Sequence, residues 1–158
     1  MKLSLLPLLL MSASALTSSA AVYNVRDFGA TADGKTLDSP AINRAIETAE
    51  ANGGGSVYLP AGTYLSGSIR LKSNINLNLA PGCTILAAPA EMKAYDESES
   101  FGGFPEYQDG GHTYFHNSLI WAEEQTNVSI TGHGMIDGLG LTKRDTETAG
   151  NVEGGSIG

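Results

Sequence analysis

Two stretches of the chain hold side chains whose type and spacing could do chemistry. In the first, His133 stands between Gly132 and Gly134, and Asp137 follows three residues later. A histidine and a carboxylate in a glycine-rich turn could serve as an acid–base pair or, with a helix behind them, as a phosphate loop. The phosphate reading fails on spacing. The third glycine of a dinucleotide fingerprint would fall at residue 137, which is Asp, and no helical pattern follows it. Asp137 precedes Gly138, a pair that favours a turn in which the carboxylate bonds nearby backbone. In the second stretch, Arg70 and Lys72 alternate with Ile69 and Leu71. Alternation of this kind puts the two cations on the outward face of a strand.

The remaining candidates are weaker. His112 and His116 are four apart where no helix is expected to align them, and His133 adds no metal-ligand spacing. The acidic residues lack the oxygen-ligand pattern of a calcium loop. No metal and no cofactor is expected. Asn127-Val128-Ser129 fits a glycosylation sequon but falls inside an expected strand. Cys83 is the only cysteine, so the chain forms no internal disulfide, and its neighbours Thr84, Ile85 and Leu86 suit a buried thiol better than a reactive one.

Positioning these groups requires a scaffold, and the composition points to a turn-rich β protein. The chain has 158 residues, enough for one domain, with 20 glycines and only 16% charged residues. The formal charge of −8 disfavours nucleic-acid binding but leaves a glycan ligand open. Residues 1–20 have the order of a secretory signal: Lys2, an apolar run from Leu3 to Leu10, then small residues to Ala20. Cleavage is expected after Ala20, or else after Ala15. The run is too short to span a bilayer, and no later segment is long and apolar enough to do so. The mature chain is therefore expected to be exported, periplasmic or extracellular.

Along the mature chain, Val22 to Val25 reads as a short strand, followed by turn-rich sequence punctuated by Phe28-Gly29 and Asp33-Gly34. One helix is expected. Asp38 or Ser39 caps it, Pro40 takes its first position, Ala41, Ile42, Ala45, Ile46 and Ala49 share one face, and Asn52-Gly53 ends it. After Gly55, short apolar runs recur between glycine, proline and asparagine: Val57-Tyr58-Leu59, Thr63-Tyr64-Leu65, Ile69 to Leu71, Ile75 to Leu79, Thr84-Ile85-Leu86, Leu119-Ile120-Trp121, Val128 to Ile130 and Met135-Ile136. Asn74-Ile75-Asn76-Leu77 is echoed by Asn127-Val128-Ser129-Ile130. Short strands and turns recurring in this way suggest stacked coils, with the helix as the cap of one end and Ile130 and Ile136 in the core. Between the echoes lies an acidic, aromatic insertion, about residues 90–117, with Tyr95, Asp96, Phe101, Phe104, Tyr107, His112, Tyr114, Phe115 and His116. Such insertions often lie on a binding face, although packing against the solenoid explains this one as well.

The stretches "YNVRDFGATADGKTLDSPAINRAIETA", "GGGSVYLPAGTYLSGSIRLKSNINLNLAPGCTIL" and "NSLIWAEEQTNVSITGHGMIDGLG" together resemble the polygalacturonase group, family twenty-eight of the glycoside hydrolases, from about Val22 to Gly140. The resemblance implies an all-β fold, a right-handed parallel β-helix of the pectin lyase type with an N-terminal capping helix. It implies hydrolysis of galacturonan or rhamnogalacturonan bonds in pectin, with inversion, by a monomer. The family's carboxylates come from an N-T-D motif and a later D-D pair, supported by a G-H-G histidine and an R-I-K pair. Neither carboxylate motif occurs in this chain. Gly132-His133-Gly134 and Arg70-Leu71-Lys72 imitate the other two in the wrong order, so no catalytic residue is transferred to any position. The chain is expected to hold the first coils of an incomplete β-helix domain, inactive alone, with an open coil end that makes it unstable or prone to aggregate. A lyase or epimerase on the same scaffold, or a non-catalytic glycan-binding β-helix, are the alternatives.

Overall fold

The computed structural model describes residues 21–97 and 116–138. The expected leader, most of the insertion including His112, and the polar stretch after Gly138 lie outside the described residues. Ten strands run through the described part: β1 (Val22–Asn24), β2 (Asp33–Leu37), β3 (Gly55–Leu59), β4 (Gly62–Ser66), β5 (Ile69–Arg70), β6 (Ile75–Leu79), β7 (Cys83–Ala87), β8 (Ile120–Trp121), β9 (Ser129–Gly132) and β10 (Met135–Asp137). One α-helix, α1 (Ser39–Ala51), lies between β2 and β3.

The strands form three parallel sheets. The first runs β1-β3-β6-β9, the second β2-β4-β7-β10, and the third pairs β5 with β8. Successive strands of the chain visit the sheets in turn, so each circuit of three is one coil and each sheet is a wall. The architecture is a right-handed parallel β-helix. Register makes the core. Val57 pairs with Leu77 and Leu77 with Ile130, while Tyr64 pairs with Ile85 and Ile85 with Ile136. Because side chains alternate across a strand, each row points inward along its whole length. Val57, Leu59, Tyr64, Leu77 and Ile85 are fully buried. Each such aliphatic side chain stabilises the fold by about 1.5–3 kcal/mol relative to exposure.

The echo seen in the sequence is a structural register: Asn76 stands against Ser129 and Leu77 against Ile130. Asn74 and Asn127 both take left-handed backbone conformations, at φ 62° and 56°. Asparagine tolerates this conformation better than most residues. Their side chains stack, Asn127 Nδ2 donating to Asn74 Oδ1 at 3.0 Å. The sequon asparagine therefore sits in a turn ahead of β9 and not within a strand as the sequence suggested. Gly132-His133-Gly134 turns the chain from the first sheet to the second. The backbone N–H groups of His133 and Gly134 both donate to Leu79 O, at 2.9 and 3.2 Å. A Cβ on Gly132 would lie 2.0 Å from that same oxygen, and the residue has φ +105°, so only glycine fits.

Helix α1 closes the first-coil end. Its buried face is the expected one, Ala41, Ile42, Ala45, Ile46 and Ala49. It also satisfies strand edges that would otherwise end unpaired. Asp38 N donates to Leu65 O at 2.8 Å, and Gly67 N donates to Ser39 Oγ at 3.2 Å. The Asn43 amide imitates a strand, donating from Nδ2 to Ser68 O and accepting from Arg70 N, both at 2.9 Å.

Several expectations need correcting. Asp38 occupies the N-cap position but its side chain does not cap. Buried, it accepts from Thr31 N at 2.7 Å, Ala32 N at 2.9 Å and Thr31 Oγ1 at 3.2 Å, tying the preceding turn to the helix. The helix starts one residue earlier than read, at Ser39, and β1 stops at Asn24. The stretch around Asp33-Gly34 holds β2, whose polar residues carry no strand pattern; pairing with β4 makes it a strand. Asp137 lies in β10, opposite Leu86, and not in a turn. Ile130 and Ile136 belong to the inward rows, yet each remains 45% exposed, because no described strand covers β9 and β10 on their far side.

Candidate functional site

The richest cluster of polar and aromatic side chains lies on the third sheet, where β5 and β8 are joined across the insertion. Ile69 pairs with Ile120 and Arg70 with Trp121. Ile69 and Leu71 are buried while Arg70 is exposed, so the alternation read from the sequence holds and Arg70 stands on the outer face. Lys72, half-buried, follows it two residues on.

Both ends of the insertion converge on Ser68. Ser68 Oγ accepts from Asp96 N at 2.9 Å and directs its hydrogen to Ser118 O at 2.8 Å, with His116 O at 3.2 Å. The outgoing arm passes so close that a Cβ on Gly67 would meet Ala94 O at 1.8 Å. Tyr95 Oη donates to Ala88 O at 2.7 Å, and burial raises that phenol to about 12. These contacts bring Asp96 over β5. Its carboxylate is bound by Arg70 through Nε at 2.8 Å and through Nη2, and by Trp121 Nε1 at 2.9 Å. The Arg70 hydrogen bond, more than the opposing burial, holds Asp96 below the usual carboxylate range. The same pairing raises Arg70 further above neutrality. Trp121 stacks on His116, with centroids 4.0 Å apart and planes 27° apart. His116 Nε2 lies 3.1 Å from Glu123 Oε2.

This arrangement can orient and bind. It is poorly suited to proton transfer, because a general acid needs a carboxyl whose pKa is raised, and Asp96 is shifted the other way. Asp33 is likewise lowered, to about 2, by hydrogen bonds from Thr36 and Lys35 backbone N–H groups. An inverting glycosidase needs two carboxyl groups roughly 6.5–9.5 Å apart with a water between them. Among the described residues no hydrogen bond or ring contact joins His133 or Cys83 to the cluster. His133 is exposed at its turn. Cys83 is buried in β7, with its thiol raised to about 11 by burial. Among the described residues no group of three or more potential metal ligands forms.

A concavity of about 570 Å³ opens outside the first sheet, lined by residues that include Gly53–Gly55, Asn74, Asn76, Asn127 and Ser129. Its amides and hydroxyls already bond one another: Ser129 Oγ and Thr131 Oγ1 donate to Asn76 Oδ1 at 3.0 and 2.8 Å. It is a structural ladder first. Sequence reasoning identified Arg70 as outward but missed Asp96 and Trp121 as its neighbours. Asp96 is 26 residues from Arg70, in a loop whose local sequence shows only acidity.

Residues 22–154 match the family described as rhamnogalacturonase A/epimerase, pectate lyase-like. The chain belongs to this family. It is similar to the exo-poly-alpha-D-galacturonosidase of Dickeya chrysanthemi, 30% identical over 132 residues, which are 78% of this chain and 20% of that one. The solved family 28 exopolygalacturonase of Yersinia enterocolitica superposes with a TM-score of 0.59 at 36% identity, covering 77% of this chain and 21% of that one. The chain is also similar to a mannuronan C5-epimerase of Azotobacter vinelandii, 48% identical over 63 residues, 35% of this chain and 4% of that one. The chain thus spans about a fifth or less of each of these relatives.

Proposed function

We propose that the chain forms the first coils of an exported polygalacturonase-type hydrolase that cleaves galacturonan or rhamnogalacturonan bonds of pectin with inversion. The observation that carries this reading is its 30–36% identity to two galacturonan hydrolases over 77–78% of its own length. In this reading the described coils are scaffold. The acid that protonates the leaving oxygen, and the base that activates water on the opposite face, reside in N-T-D and D-D motifs outside these 158 residues. The chain alone is then inactive.

The test is the protein extended through later coils, assayed on polygalacturonate for new reducing ends. The anomer first formed is read by NMR and should be inverted. Absence of both carboxylate motifs from the extended frame, or a product absorbing in the near ultraviolet, refutes the hydrolase. The second result marks a lyase. The local identity to a mannuronan epimerase supports a second reading, a uronate C5-epimerase. It predicts changed C5 configuration in the polymer with no new chain ends.

A further inference from the structure

We propose that Asn52, at the joint between α1 and the first coil, is a site of spontaneous deamidation whose rate is set by fraying of the helix end. This holds whichever bond the protein cleaves. Asn52-Gly53 is the only Asn-Gly pair in the chain. Glycine has no Cβ to shield its backbone nitrogen, so that nitrogen can reach the preceding side chain. In the reaction Gly53 N attacks Asn52 Cγ. The N–Cγ bond forms, the Cγ–Nδ2 bond breaks, and Nδ2 leaves as ammonia with the proton lost from Gly53 N. Water then opens the cyclic imide at either carbonyl, leaving aspartate or isoaspartate. The only co-reactant is water, and Asn52 and Gly53 are both exposed to it.

The fold keeps the two reacting groups apart. Asn52 is the C-cap of α1, and its Nδ2 donates back along the helix to Thr48 O at 2.9 Å. The attacking nitrogen is bound as well, Gly53 N donating to Glu50 O at 2.9 Å. Both acceptors are carbonyls of the last helical turn, so both bonds open when that turn frays. Fraying therefore frees the nucleophile and the side-chain amide together. The reaction then makes the fraying permanent. The new carboxylate has no proton to donate to Thr48 O, and its charge adds to the negative end of the helix. Isoaspartate also lengthens the backbone by one carbon, just ahead of a turn with no slack. There Gly54 N donates to Ala49 O at 2.8 Å and Gly55 N to Asn74 O at 2.9 Å, and a Cβ on Gly54 would meet Asn74 O at 2.5 Å. A shifted turn loosens the capping helix from the coil that follows.

Peptide mapping by mass spectrometry measures the conversion of amide to acid at Asn52 in mildly alkaline buffer. A synthetic peptide of residues 48–56 gives the unrestrained rate. The folded chain should convert at least about tenfold more slowly, because the bonds of Asn52 Nδ2 and Gly53 N must open first. The chain in guanidinium chloride should match the peptide. Ala51→Gly weakens the last helical turn at an exposed position and should speed conversion of the folded chain about threefold. Converted chain, separated by its added charge, should unfold at a lower urea concentration than unconverted chain. The same comparison of folded protein with peptide, made on the protein extended through later coils, does not depend on the stability of the short chain. Conversion of the folded protein as fast as the peptide overturns the proposal. So does an unmoved rate in Ala51→Gly, or an unchanged unfolding midpoint in the converted form.

Discussion

Asn43 is where the capping helix and the candidate site meet, and its replacement tests how the open edge of a coil is closed. The side chain donates to Ser68 O and accepts from Arg70 N, both at 2.9 Å, in place of a neighbouring strand. Asn43→Ala deletes both bonds. The bond to Ser68, whose carbonyl is left shielded, costs about 1–1.5 kcal/mol, and the exposed bond from Arg70 N costs about 0.5 kcal/mol. Alanine returns roughly 0.6 kcal/mol through its better helix propensity, so the net loss is about 1 kcal/mol. For a domain of this size that lowers Tm by roughly 2–4 °C. Asn43→Asp gives a sharper result. Its carboxylate can still accept from Arg70 N, but it faces Ser68 O with no proton to donate. The charged form is disfavoured, so the folded pKa rises above the unfolded value of about 3.9. The deficit relative to wild type is then absent below the unfolded pKa and grows as pH rises through the folded pKa. Urea melts followed by Trp121 emission, from pH 3.5 to 7, measure it. A deficit independent of pH, or an Asn43→Ala loss below about 0.5 kcal/mol, refutes the view that this amide replaces a strand.

Gly67→Ala places a Cβ 1.8 Å from Ala94 O at a position without left-handed strain, so its effect is purely steric. It should push the outgoing arm off Ser68, release Asp96 from Trp121 and red-shift the tryptophan emission; an unshifted spectrum counts against the shared anchor. Cys83, with its thiol raised to about 11 in a closed strand, should resist thiol reagents while folded and react fully in denaturant. Fast labelling of the folded chain shows the row is open. Ile130, Met135 and Ile136 expose 45%, 54% and 45% of their surface along the last described strands. The isolated chain should therefore self-associate, and Ile136→Lys should shift it toward monomer on gel filtration. A soluble wild-type monomer that unfolds cooperatively contradicts this.

Local pattern was enough wherever one element's own residues set its environment. The face of α1 from Ala41 to Ala49, the alternation of Ile75, Leu77 and Leu79, the outward Arg70, and the burial of Cys83 were all legible, because helix and strand periods act over a few residues. The echo of Asn74 in Asn127 correctly announced a stack, since parallel coils in register place like residues above one another. Tertiary structure decided the rest. β2 is a strand only because β4 lies beside it. Asp38, a good N-cap by type, is drawn away by Thr31 and Ala32, which together offer its carboxylate three donors. Ile130 and Ile136 have core identities, but burial depends on a neighbour above as well as a row below. The candidate site is the clearest case. Arg70, Asp96 and Trp121 lie 25 or 26 residues apart at each step, and only a full circuit of the coil brings their charges and ring within hydrogen-bonding distance.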